Sequence, residues 1–206
     1  MVDPEQELAE MDWFARDAKA KFEKYILPHR EFIDSYLEIG VAAGHSMMWV
    51  CDNLAPTNAI GVDDYGGRIT GSRRRTYEKY HEVAKRNLEG YVCDLKVMTS
   101  KAFLGSTRDT FDLIYADGTH SGYGAMMDWV MSYEQLTNVR NSKRTMVLDS
   151  KERKVGGILV IDDLHRSMNR GKVEVSIAYN LFVLLMEGRM REIFRDGRQA
   201  GLIRID

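Results

Sequence analysis

Cysteine, proline and net charge are all scarce in this 206-residue chain, which has two cysteines, three prolines and a formal charge of −2. Cys51 and Cys93 fall in a helix-like and a strand-like stretch; they offer no zinc-ligand spacing and read as reduced, buried side chains rather than as a disulfide. Pro4, Pro28 and Pro56 are never adjacent, which excludes every motif built on a Pro-Pro pair. No linker, repeat or low-complexity tract divides the chain. The near-neutral balance gives no global pull toward nucleic acid or an anionic membrane. No apolar run approaches the roughly 20 residues of a membrane span, and the acidic opening Met-Val-Asp-Pro-Glu lacks the basic start of a secretory signal, so a cytoplasmic protein with no membrane contact is expected.

What the chain does have is apolar material for one core, 44% of its residues, arranged in short runs that alternate with helix-length segments. Strands are expected near 35–39, 58–63, 92–98, 111–117 and 157–162, with helices near 45–54, 73–89, 122–136 and 173–187. Such alternation specifies right-handed strand-helix-strand units and a parallel sheet covered on both faces. The tail departs from it: Met190-Arg-Glu-Ile-Phe-Arg and Gly201-Leu-Ile-Arg-Ile-Asp flank a turn-like segment and suit an antiparallel hairpin. The expectation is therefore one α/β domain over 1–206, a Rossmann-like doubly wound sheet of seven strands with an antiparallel C-terminal strand. An amphipathic helix over 4–25 would lie against it. The polar stretches 65–75 and 138–154 read as surface loops or insertions.

The first strand runs into Leu37-Glu-Ile-Gly-Val-Ala-Ala-Gly-His-Ser. Gly40 and Gly44 let the backbone turn and approach a ligand, and the helix that follows aims its amides at the same place. Ala42 stands where a dinucleotide fold wants its second glycine, which disfavours NAD. Glu38 would sit under this loop and attract a cationic group. Asp63, ending the second strand, is placed to accept from ribose hydroxyls. An acid below the loop and an acid on the ribose suit S-adenosylmethionine.

A second constellation is made of carboxylates. Asp117 ends Phe111-Asp-Leu-Ile-Tyr-Ala-Asp, and Asp162 and Asp163 end Gly156-Gly-Ile-Leu-Val-Ile-Asp-Asp. If those strands are neighbours, the three acids meet at the ligand edge of the sheet. An all-oxygen set there favours magnesium, with manganese as the alternative. His120, three residues past Asp117, is a candidate general base, and His165 competes for that role. The bland alternative is that the acids cap helices and turns.

With Gly61-Val-Asp-Asp-Tyr-Gly-Gly and Ala116-Asp-Gly-Thr-His-Ser-Gly-Tyr in the same order, residues 33–165 resemble class I S-adenosylmethionine-dependent methyltransferases. The likeness is to the branch with Asp-Gly-x-His and Gly-Gly-x4-Asp-Asp motifs, which includes small-molecule and sugar O-methyltransferases. The resemblance implies that Glu38, Gly40, Ala42, Gly44, Ser46, Asp63, Ser100 and Asp117 contact the cofactor, that Asp117, Asp162 and Asp163 hold the metal, and that Asp117 and His120 serve catalysis. Two departures stand out: Ser100 lies where many relatives carry an acid toward the adenine amine, and Thr119 lies where some sugar-modifying relatives keep a second aspartate.

The acceptor expected is a small hydroxylated molecule, anionic if Arg68, Arg73, Arg74 and Arg75 form a lid over it. Nucleic acid is disfavoured, because the amine-methylating Asn/Asp-Pro-Pro-Tyr signature has no place in this chain. A short-chain dehydrogenase would need a tighter glycine loop and a Tyr-x-x-x-Lys pair, both missing. A non-catalytic or regulatory cofactor-binding protein of the same fold, a metal-independent methyltransferase and a homo-oligomeric assembly stay open.

Overall fold

A computed structural model describes residues 11–66, 72–165 and 175–206, with the backbone alone for residues 72–75. The expected helix at 4–10, Arg68 and the side chains of Arg73, Arg74 and Arg75 lie outside the described residues.

Seven strands form one sheet: β1 (Ser35–Ile39), β2 (Asn58–Asp63), β3 (Asp94–Val97), β4 (Leu113–Ala116), β7 (Ile158–Ile161), β8 (Met190–Arg195) and β9 (Ala200–Arg204). Their spatial order is β3-β2-β1-β4-β7-β9-β8. The first five are parallel, whereas β9 runs antiparallel to both of its neighbours. Helices α1 (His45–Asn53), α2 (Ser72–Asn87), α3 (Ser100–Leu104), α4 (Gly122–Gln135) and α5 (Val175–Leu185) supply the connections. The fold is thus the doubly wound α/β sheet that the alternation specifies. Expected and observed element bounds agree to within about two residues, the usual fraying of ends.

Alternation along the central strands divides the core. In β4 and β7, Ile114, Ala116, Leu159 and Ile161 join the cluster holding Trp129 of α4 and Phe182 of α5. Leu113, Tyr115, Ile158 and Val160 face the opposite cluster with Met47 of α1 and Phe22. Both faces are covered, so every residue of these two strands is buried.

The leading segment differs in form from one continuous helix. It is α-helical at Trp13–Asp17 and Lys19–Lys21, widens to a π turn at Phe22–Ile26 and tightens to a 3-10 turn at Leu27–Phe32. Phe14, Ala18, Phe22 and Ile26 are buried at intervals of four. Phe22 meets Tyr115 edge-on at 5.1 Å between ring centres.

The stretch 138–154 is a two-stranded hairpin, β5 (Thr145–Leu148) paired antiparallel with β6 (Lys151–Lys154). Its Lys and Arg face solvent with one exception. Arg144 is 1% exposed and donates to the carbonyls of Gly156 (3.0 Å) and Phe32 (3.1 Å). Burial lowers its pKa to about 10. The charge is held by backbone dipoles because the surrounding core strips it of water. Cys51 and Cys93 are free thiols, partly exposed rather than buried. Among the described residues no helix is long and apolar enough to cross a membrane.

Candidate active site

The chain runs from β1 outward to β3 and then returns to β4 on the other side of β1. The crevice at the C-terminal ends of β1 and β4 is therefore the topological switch point where open α/β sheets take their ligands. A cleft of about 800 Å³ opens there. The tips of β1, β2, β4 and β7, the glycine turn and the helix-start residues of α3 all contribute to its wall. The leading segment closes one side with Trp13, Phe14 and Asp17. Asp17 is paired to Arg198 of the β8–β9 turn.

The glycine turn is held by contacts that the sequence pattern does not display. Gly40 has φ +90°, and a Cβ there would lie 2.2 Å from the Asp117 carbonyl oxygen. Gly44 begins α1 at φ +84°. Between them Ala42 also takes a positive φ, 46°. Its N–H donates to Asp63 Oδ2 at 2.9 Å, while the Tyr65 N–H donates to Asp63 Oδ1 at 2.8 Å. Asp63 thus ties the glycine turn to the tip of β2, and each carboxylate oxygen keeps acceptor capacity toward the cleft. Burial raises its pKa, opposed by those two N–H groups.

Glu38 is fully buried and forms no part of the cleft wall. It accepts from Tyr36 Oη at 2.6 Å and from Ser46 Oγ. Desolvation raises its pKa to about 7, against the opposing effect of those two hydroxyls. Ser46 does reach the cleft, so Glu38 acts beneath the surface through a hydroxyl.

The acids at the ends of β4 and β7 come together as expected, but not all in one role. Tyr115 Oη donates to Asp162 Oδ2 at 2.5 Å and lies 3.4 Å from Asp117 Oδ2. Asp162 also accepts from the Gln199 amide, and burial raises its pKa. Asp163 turns the other way. Its φ of +60° is strained for a residue with a side chain, and its Oδ2 lies 2.6 Å from His120 Nδ1. Asp117, His120 and Asp163 each offer a ligand atom within 4.8 Å of the others. In this arrangement His120 stands in the ligand group where Asp162 was expected. The reason is local: Tyr115 and Gln199 occupy the Asp162 carboxylate.

His165 is exposed on the cleft rim, and His45 also lines the cleft. Ser100 lines the wall and donates to Asp128 Oδ1 at 2.6 Å. Asp128, Tyr115 and Gln199 are the site residues that sequence reasoning missed. Asp128 had a signal: it shares the core-facing side of α4 with Ala125, Trp129 and Ser132, an unusual place for an acid. Gln199 had none, because only the β8–β9 turn carries it to the site.

The architecture and the placement of this cleft define a class I methyltransferase fold. The chain belongs to the methyltransferase domain family, whose model matches residues 37–164. Several solved structures are similar over nearly the whole chain. The O-methyltransferase TomG from Streptomyces achromogenes, involved in tomaymycin synthesis and solved with SAM, is 14% identical with a TM-score of 0.59, covering 100% of this chain and 91% of its own. The Bacillus cereus O-methyltransferase solved with SAH is 12% identical with a TM-score of 0.56, covering 100% and 92%. The SAH-bound Podospora anserina methyltransferase PaMTH1 is 16% identical with a TM-score of 0.59, covering 100% and 89%. A search of curated protein sequences returns no match.

Proposed function

We propose that this chain transfers the methyl group of S-adenosylmethionine to the hydroxyl of a small molecule, with help from a divalent cation. The observation that carries this reading is the shared cleft: Asp63 and the glycine turn form one part of its wall, and Asp117, His120 and Asp163 another. SAM- and SAH-bound neighbours support the same donor.

Asp63 would receive the ribose hydroxyls on its remaining lone pairs. Gly40 lets the tips of β1 and β4 approach closely, since a Cβ there would meet the Asp117 carbonyl, and the turn it forms would lie against the methionine end. The site fits a divalent cation: its donors are two carboxylates and one imidazole within a small radius, a mixed oxygen-nitrogen set that suits manganese better than magnesium. Asp117, Asp163 and His120 would hold it. When bound, such a cation lowers the pKa of a hydroxyl and fixes its oxygen. Methyl transfer itself is an in-line displacement: the new C–O bond forms as the C–S bond breaks, and the sulfonium leaves as a neutral thioether. The hydroxyl proton must go to a base. Without the cation, His120 has its Nδ1 against Asp163 and presents Nε2 for that purpose; with His120 as a ligand its lone pair is engaged, and the proton of the acidified hydroxyl would pass to solvent. Alignment and exclusion of water supply most of the rate.

The His120–Asp163 contact also favours a second reading. A carboxylate that orients an imidazole is sufficient for base catalysis without a metal. The deciding assay measures SAH formation with a library of hydroxylated acceptors, with magnesium or manganese and with chelator. Turnover that collapses in chelator supports the metal-assisted reading; turnover indifferent to chelator supports the dyad. No turnover with any acceptor, despite tight SAM binding, would leave a cofactor-binding protein and defeat both.

A further inference from the structure

Asp128 is a buried acid in the cleft wall that the proposed chemistry does not use. It sits in the first half of α4, 6% exposed, in the wall of the cleft beside Ser100, Gly118 and Thr119. Its partner among the described residues is Ser100 Oγ, which donates to Oδ1. That leaves Oδ2 as an acceptor without a donor. Gly118 keeps that oxygen reachable. A Cβ at position 118 would stand 3.6 Å from Asp128 Oδ2 and 2.9 Å from Ile39 Cγ2, so a larger side chain would cover the carboxylate.

Asp128 Oδ2 opens to the cleft, so a ligand seated against it would displace its water and must bring a donor in exchange, or lose about 1–3 kcal/mol. The position within the cleft says which part of the ligand. Sheet order places β2 and β3 on one side of β1, and β4 and β7 on the other. A ribose on Asp63 at the β2 tip, with its methionine arm over Gly40 at the β1 tip, leaves the base facing the segment after β3. That segment is Thr99–Ser100, and Asp128 lies against it.

We propose that Asp128 is the specificity-determining acceptor for the 6-amino group of the cofactor's adenine, so that the acid comes from α4 and Ser100 acts by locking it in place. This deepens the S-adenosylmethionine reading and rests on it. Burial supports the assignment from another direction: it raises the Asp128 pKa to about 6, with the Ser100 hydroxyl opposing the rise. The group is then ionised, and an acceptor only, at neutral pH.

The test compares two nucleosides that differ at one position. Calorimetric Kd values are measured at pH 7.5 for S-adenosylhomocysteine and S-inosylhomocysteine, in which a 6-oxo group replaces the amine. The wild-type chain should prefer the adenosyl compound by roughly 30-fold or more, because the oxo group sets an acceptor against a carboxylate. In Asp128→Asn, whose amide can donate, that preference should fall to within about threefold, with the inosyl compound gaining. Ser100→Ala keeps the acid and should retain a preference reduced by about fivefold or less, which covers the case of an unstable Asp128→Asn. A wild-type chain that binds both compounds equally overturns the assignment while leaving the cofactor reading intact. So does an Asp128→Asn variant that keeps the wild-type ratio. A wild-type chain that binds neither compound overturns both.

Discussion

Gly40 and Asp117 are locked together across the β1–β4 boundary: the space for a Cβ on the first is already filled by the main-chain carbonyl of the second. Asp117 N donates to Ile39 O at 2.8 Å, which fixes the distance between the two strand tips. The glycine turn and Asp117 are thus one rigid unit.

Gly40→Ala should therefore be more harmful than a usual glycine substitution. It combines an unfavourable φ with a backbone clash that no rotamer relieves. We expect a loss of stability on the order of 3 kcal/mol or more and no measurable SAM binding in the folded fraction. Urea unfolding and calorimetry check this; near wild-type values for both would contradict it.

Asp63→Ala should weaken SAM binding by at least about 30-fold, since it removes both the proposed ribose acceptor and the two N–H contacts that hold Ala42 and Tyr65. Unchanged affinity by isothermal titration would end the cofactor assignment.

Glu38 makes stability depend on pH. Its pKa rises from 4.5 unfolded to about 7 folded, so between those values the folded chain keeps a proton that the unfolded chain has released. Stability is highest below the unfolded value and falls as pH rises through the window, by about 3 kcal/mol in order of magnitude. Glu38→Gln should remove this dependence: melting at pH 8 should be higher than for the wild type, and melting near pH 4 should be similar. A variant with the same pH profile as the wild type would show that another group is responsible.

For the cation, the roles of the paired acids should separate. Asp117→Asn and Asp163→Asn should each lower manganese affinity at least about tenfold. Asp162→Asn should act less on affinity and more on stability, because its carboxylate is engaged by Tyr115 and Gln199. Titration of manganese into the three variants reads this directly, and equal losses in all three would return Asp162 to the ligand group.

Much of the site was readable from residue order. The motifs at 37–46, 61–64, 116–120 and 156–163 fall at strand ends, and a doubly wound fold brings strand ends to one edge whatever the side chains do. The hairpin at 138–154 and the uneven leading segment were less legible, since short elements depend on what packs against them. Arg144 shows why: charge alone assigns it to the surface, whereas two carbonyls from distant segments hold it inside.

By itself, then, the sequence determined the α/β alternation, the glycine turn and the presence of acids at the tips of β2, β4 and β7, because periodicity and turn chemistry are local. Tertiary structure alone decided that Asp162 is drawn aside by Tyr115 and Gln199, that His120 meets Asp163, and that Asp128 of α4 stands against Ser100. Each of those outcomes depends on which side chain from elsewhere the fold places against a given oxygen, and hydrogen bonds between segments leave no trace in residue order.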